Sequence, residues 1–332
     1  MYRQQEPDAH NIIRSQLTLR AVVWDLRLAD AGETAKIERE WDSYQVRKID
    51  LLSEIGPLEK PADSRTKYDM IRNCLAKIGM KETDALLVTD DAMAAAYVYG
   101  PHKPGQILDQ PKQGRPGMAV VFYERETDGR CVEADLVVQG FEEIGVQFLD
   151  RVHKRKNGLP WNILYTKRTC VREITLDDLD ALFELYRAKG MTDYTEPLFE
   201  RDREEAYTRD YIKWMYYYYG YGMWVVCDRN TGRLIGRAGI EQRDTKDGGM
   251  QAELGYVIAR DCQNQGYAQE VGTAVLEYAA QELEMEEMHC MVHRANAPSV
   301  RVAEKLGFVL CETEEQKGDM LHYYKLLSSG KA

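Results

Sequence analysis

Apolar positions recur along the chain in two different rhythms, and the change falls near residue 160. In the first part, the short apolar runs RAVVWDL from Arg20, ALLVTDD from Ala85, GMAVVFY from Gly117 and ADLVV from Ala134 read as strands. Polar helical stretches alternate with them: Ala31 to Leu58, YDMIRNCLAKIGM from Tyr68, and Phe141 to Lys154. This alternation predicts a small parallel α/β sheet. The Gly- and Pro-rich stretch from Gly100 to Gly117 interrupts it as a long surface loop, and NGLPW, from Asn157, reads as a linker.

From Thr169 the order changes to that of an α+β domain. TCVREI is a strand, and Thr175 with Asp178 three residues on resembles an N-cap and its acidic partner opening the helix LDDLDALFELYRA. A second helix is predicted over Asp202–Tyr218. MWVVCD and RLIGRAGIE follow as strands around a turn at Arg229–Gly232, and AELGYVI as a third antiparallel strand. Then come a long helix from Gly266, the strand MHCMVH, the helix PSVRVAEKLG and a closing strand pair ending in DMLHYYKL. Two domains, 1–160 and 161–332, are expected.

A length of 332 residues suits two cores of ordinary size. No apolar run approaches the roughly 18 residues that span a bilayer, so no membrane span is expected. The start, MYRQQEPDAHNIIR, has the composition of neither a secretory signal nor a transit peptide and reads as a short cytoplasmic lead-in. Seven scattered cysteines without a CxxC pair suggest reduced thiols and no zinc site, and no metal ligand is assigned. A net charge of −11 argues against nucleic acid as a partner and is compatible with a cationic or small-molecule one. Oligomeric state stays open, and a homo-oligomer is compatible.

The chemistry concentrates in GYVIARDCQNQGYAQEVG, from Gly255. An apolar strand leads into a polar loop, Gln263-Asn264-Gln265-Gly266-Tyr267-Ala268, and an amphipathic helix follows at once. Such a loop offers convergent backbone N–H groups and a favourable dipole to a pyrophosphate, and Gly266 lets the backbone approach closely. A plain helix-capping glycine is the alternative. The loop resembles the Q/R-x-x-G-x-G/A segment of the GNAT N-acetyltransferases. Asn296, Ser299, Arg301 and the turn Lys305 to Phe308 resemble the last motif of the RimJ/RimL branch, and the element order from Thr169 fits the same fold, a mixed sheet flanked by helices.

The resemblance implies acetyl-CoA as co-substrate and transfer of its acetyl group to a primary amine of a small molecule, peptide or protein N-terminus. It implies contacts to the pantetheine arm from the backbone of Val257 and Ile258 and from Asn296, with the pyrophosphate on Gln263 to Ala268. Asn296 also reads as an N-cap. An alkyl ammonium must lose its proton before attack, and Glu253 is the expected general base, with Glu241 in reserve. A solvated strand residue is the alternative for Glu253. Where many relatives place a proton-donating tyrosine this chain has Ala303, which leaves Ser299, Tyr267, Tyr324 or solvent for that step. The run Trp214 to Tyr221 is expected either to line an acceptor pocket or to pack on the core. An acyl-CoA sensor without turnover is the competing reading.

In the first half, Asp25-Leu26-Arg27, Lys60 and Asp90-Asp91 resemble motifs of the haloacid-dehalogenase-like superfamily. The implied fold is a reduced Rossmann-like parallel sheet. Arg27 stands where a phosphatase of that kind needs its second acid, which implies a catalytically silent domain rather than a phosphatase. Asp90-Asp91 also reads as a helix-capping pair.

Overall fold

The computed structural model describes residues 17–26, 34, 37, 39, 43–51, 64–99, 117–124, 132, 134–142, 144–244, 249–316 and 319–327. The chain divides into two compact units, Met1–Leu159 and Pro160–Ala332. No helix among the described residues is long and apolar enough to cross a membrane.

The first unit holds a five-stranded parallel sheet in the order β2-β1-β3-β4-β5, with β1 Ala21–Asp25, β2 Arg47–Asp50, β3 Ala85–Thr89, β4 Ala119–Tyr123 and β5 Leu136–Val138. Every residue of β1, β3 and β4 is buried, which is why they read as unbroken apolar runs. Among the described residues its helices include α1 Ser64–Lys77, α2 Ala92–Tyr99 and α3 Val146–Lys156. Strand β2 falls inside the stretch expected to be helical; only Ile49 of its four residues is buried, so it left no apolar run to read. Helix α3 starts five residues later than expected, because Phe141 turns into the core to stack on Tyr123 at 5.4 Å and Gly145 takes the N-cap. The 100–116 loop, Arg27 and Lys60 lie outside the described residues.

At the carboxyl ends of β1 and β3, the Lys67 ammonium from α1 sits 3.1 Å from Asp25 and 2.5 Å from Asp91. Thr89 also donates to Asp25. Asp91 accepts the N–H groups of Met93 and Ala94 through Oδ1, so it caps α2. Burial opposes its charge, but the Lys67 hydrogen bond and charge outweigh this and hold its carboxyl below the usual range.

Helix α3 is pinned to the chain entering β1 by a buried polar group. Asp150 accepts the N–H of Thr18 and Leu19 at 2.8 Å each and pairs with Lys154. His153 places Nε2 2.8 Å from the Thr83 carbonyl and Nδ1 3.2 Å from the Thr18 hydroxyl. Burial pushes the His153 imidazole below its ordinary value. The unfolded chain therefore binds this proton first as pH falls below about 6.5, and stability contributed by neutral His153 is lost over that window. The unfolding midpoint is expected to drop between about pH 7.5 and pH 5.5 in wild type and to drop less in His153→Gln; equal drops in a pH-dependent thermal melt would refute the assignment.

The second unit is built on an eight-stranded mixed sheet ordered β12-β13-β11-β10-β9-β8-β7-β6. Its strands are β6 Asn162–Tyr165, β7 Thr169–Arg172, β8 Met223–Asp228, β9 Leu234–Asp244, β10 Met250–Ile258, β11 Glu287–His293, β12 Val309–Gln316 and β13 Asp319–Leu327. Strand β6, just after the expected linker, was not anticipated; it adds an edge to β7 through a register shift. The helices are α4 Leu179–Arg187, α5 Arg201–Tyr211, α6 Tyr267–Gln281 and α7 Ala297–Lys305. Thr175 and Asp178 form the anticipated capping pair, and Arg172 clamps the Asp178 carboxylate with bonds of 2.8 and 2.6 Å. The core gathers Trp224, Val226, Ala238, Ile240 and Leu254 with Val271, Val275 and Ala279 of α6.

The helix expected to end at Tyr218 instead widens after Tyr211 into a π-helical stretch, Ile212–Tyr219. Hydrogen bonds to the fifth residue on bring side chains five apart onto one face. Tyr211 and Tyr216 both turn onto β8: Met223 N donates to Tyr211 at 2.6 Å, and Tyr216 donates to the Met223 carbonyl at 2.5 Å. Burial raises both phenols. Tyr216 of the run and Tyr211 just before it thus fasten helix to sheet, while Trp214, Tyr218 and Tyr219 remain exposed.

Candidate functional site

The loop between β10 and α6 is shaped by two left-handed residues, Asn264 at φ 59° and Gly266 at φ 80°. Gly266 is the N-cap of α6, and its carbonyl accepts from Glu270. The first N–H groups of a helix have no partner within it and carry the positive end of its dipole. Side chains hold the loop from outside. Gln263 donates to the Ile258 carbonyl at 2.9 Å, Gln265 donates to the Asp261 carbonyl at 2.7 Å, and Arg168 donates to the Gln265 carbonyl at 3.0 Å. Arg168 also pairs with Glu270 and stacks on Tyr267 at 3.9 Å.

Strand β10 is paired with β9 along its whole length but with β11 at one position only, Glu253 against His289. Beyond it the two parallel strands part, so one edge of Leu254 to Ile258 has no strand partner. Buried backbone groups left this way need another hydrogen-bond partner. A cavity of about 410 Å³ opens at the parting. Of the residues expected to bind a co-substrate, Val257, Ile258, Gln263, Asn264, Gly266, Ala268 and Asn296 line it, as does Ser299; Gln265 and Tyr267 do not, being turned to hold the loop.

Asn296 has two placements at once. Its side chain accepts the N–H of Ser299 at 3.3 Å, capping α7, and it faces the cavity. Sequence reasoning missed the other wall. The segment following α4 contributes Gly190, Met191, Asp193, Tyr194 and Thr195, and the Tyr194 ring lies 4.9 Å from that of His293. Arg260, Arg301 and Lys305 add three cations to the lining. The spacing of Arg301 and Lys305, four apart on one helix face, is the signal from which the last two were readable.

Glu253 does not line the cavity. One carboxylate oxygen accepts from Arg243 at 3.0 Å and the other accepts the Met291 N–H at 3.2 Å, bridging the gap to β11 where the ladder has ended. Its cross-strand neighbour is Glu241. Part of Glu241 is open to solvent, yet desolvation of its carboxyl and the Glu253 charge raise it above the usual carboxylate value against the pull of Arg237. Of the alternative proton donors, Tyr324 is buried, and neither it nor Tyr267 lines the cavity; Ala303, at the position where many relatives place the donor, is buried as well. None of the residues from Trp214 to Tyr221 lines it either.

Residues 168–309 match the family described as Acetyltransferase (GNAT) domain. Over 114 residues the chain is 32% identical to the uncharacterized protein YkkB of Bacillus subtilis, covering 33% of this chain and 66% of that protein, just under two thirds of its length. It is 26% identical over 168 residues to the uncharacterized N-acetyltransferase p20 of Bacillus licheniformis, covering 48% of this chain and 92% of the relative. Among solved structures, a putative GnaT-family acetyltransferase from Bordetella pertussis is similar at a TM-score of 0.44 and 21% identity, over 49% of this chain and 97% of that one.

Proposed function

From the match of residues 168–309 to the acetyltransferase (GNAT) family, we propose that the second unit moves an acetyl group from acetyl-CoA to a primary amine. The observation that carries this reading is the parting of β10 from β11 above a left-handed loop at a helix N-terminus. An extended amide-bearing arm can take the place of the missing strand partner along Val257 and Ile258. The N-terminus of α6, with Gly266 at its cap, suits a pyrophosphate, and Arg260, Arg301 and Lys305 supply charge for the remaining phosphate.

In this reading the amine approaches the parting of the strands, and Glu253 takes the ammonium proton. Each of its oxygens has one donor and keeps a second lone pair, so the carboxylate can still accept. Backbone N–H groups of the unpaired β10 edge are placed to stabilise charge on the carbonyl oxygen. The commitments of Glu253 to Arg243 and Met291 favour a second reading, an acyl-CoA sensor without turnover. Incubation with acetyl-CoA and a panel of primary amines separates the two: transfer predicts one added acetyl group on an amine and release of free thiol, both read by mass spectrometry. Acetyl-CoA binding with no acetylated product would support the sensor. For the first unit we propose a non-catalytic partner domain of haloacid-dehalogenase-like type, with Asp91 spent on capping α2 and on Lys67.

A further inference from the structure

Transfer of an acyl group from a thioester releases sulfur, and the electron pair of the broken C–S bond leaves with it. A thiol ordinarily ionises near pH 8.5, about the value of a free cysteine, so a nearby donor that meets the developing thiolate lowers the barrier. Four hydroxyl-bearing side chains line the cavity: Tyr194, Thr195, Tyr256 and Ser299. The aliphatic alcohols are the weaker acids. Tyr194 is 45% exposed on the segment after α4, with its hydroxyl directed at the Ala295 carbonyl.

Tyr256 differs from these in position. It stands on β10 between Gly255 and Val257, within the stretch that β11 has abandoned. Its side chain reaches α7 and donates to the Ser299 carbonyl in the first turn of that helix. The hydroxyl therefore lies between the unpaired strand edge and the helix, where an arm laid along Val257 and Ile258 would pass. At 3.3 Å that bond is long for an O–H donor, so exchanging it for another acceptor costs little. The neighbouring position on α7, Ala303, is buried and has no hydroxyl to offer. Burial pushes the Tyr256 phenol up to about 12, which keeps its proton in place across the working range.

Resting on the transfer reading above, we propose that Tyr256 is the residue that meets the departing sulfur as a hydrogen-bond donor and stabilises it as the thiolate. The amine nitrogen forms its bond to the carbonyl carbon, the C–S bond breaks with its electrons on sulfur, and the Tyr256 O–H, keeping its proton, donates a hydrogen bond to the thiolate that forms. The thiolate takes its proton from solvent on release, while the proton lost by the ammonium goes to the base.

The test uses the full chain, wild type and Tyr256→Phe, with CoA itself as the probe. Thiolate ultraviolet absorbance is followed against pH for free and protein-bound CoA. Bound thiol is expected to ionise about one pH unit below free CoA in wild type, through the phenol hydrogen bond, and this lowering should vanish in Tyr256→Phe. In turnover the variant should lose about 100-fold in kcat with KM for acetyl-CoA unchanged. A wild-type bound thiol that ionises at or above the free value overturns the proposal whatever the variant does, as does the same titration in both proteins. If the lowering depends on Tyr256 but no amine is acetylated, the donor assignment stands and the transfer reading falls.

Discussion

Acetyl-CoA at about a hundredfold excess over its Kd is expected to stabilise the second unit by about 2.7 kcal/mol, and Gly266→Glu is expected to abolish that gain. Gly266 sits at φ +80°, where a residue with a Cβ pays about 1–2 kcal/mol. The space beside it is open enough: an added Cβ would stand 3.7 Å from the Arg168 guanidinium. The variant can therefore fold, its new carboxylate leaning toward Arg168 at the helix N-terminus where a pyrophosphate is meant to sit. Gly266→Ala introduces the strain without the charge and should lie between wild type and Gly266→Glu. A thermal shift series over the three proteins reads the order directly. No stabilisation of wild type, or equal stabilisation of Gly266→Glu, would sink the co-substrate assignment.

Glu253→Gln should lower kcat by about 100-fold near neutral pH, the lower end of what a positioned proton acceptor contributes. The amide keeps an oxygen for the Met291 N–H but loses the ion pair with Arg243, so the strand seam survives while the base does not. With an alkyl amine of pKa about 10.4, the free-amine fraction grows about tenfold per pH unit below that value. The variant should consequently recover rate as pH rises, with a log–log slope near one that wild type does not show. Glu241→Gln is the informative comparison, because desolvation raises the Glu241 carboxyl above its usual value. A larger loss there than at Glu253 in a pH–rate profile would move the base across the register to β9.

Much of the second unit was legible because its signals are local. The Thr175–Asp178 cap, the turn before β9 and the entry of the Gln263–Ala268 loop into a helix each depend on residues a few positions apart and form where read, although Gln265 and Tyr267 hold the loop and do not line the cavity. The segment after α4 was not legible as part of the site. Gly190 to Thr195 has no periodicity of its own, and it meets Asn296 and Tyr256 only through the tertiary fold. The commitment of Glu253 to Arg243 and Met291 was hidden for the same reason: a side chain filling in for a missing ladder bond leaves no mark in the sequence. The tyrosine run misled through its regularity, since a five-residue spacing suits a π-helix, an uncommon element, and not the α-helix expected there. In the first unit, four-residue β2 was too short and polar to stand out from the helical stretch around it.

The single register contact between β10 and β11 also bears on how the sheet holds together. Strands β6 to β10 form one hydrogen-bonded plate and β11 to β13 another, and the ladder joins them at Glu253 and His289 alone. Elsewhere the plates are joined through side chains: Glu253 accepts the Met291 N–H, Tyr323 donates to Gln251, and apolar groups pack beneath α6 and α7. An extended ligand seated in the seam would act as a partial ninth strand, adding backbone hydrogen bonds to both plates. Amide protons of β11 and β13 should then exchange with solvent more slowly when that strand is present, although none of those residues forms the loop proposed to hold the phosphates. A molecule consumed in each turnover would serve, between turnovers, as mortar for the fold.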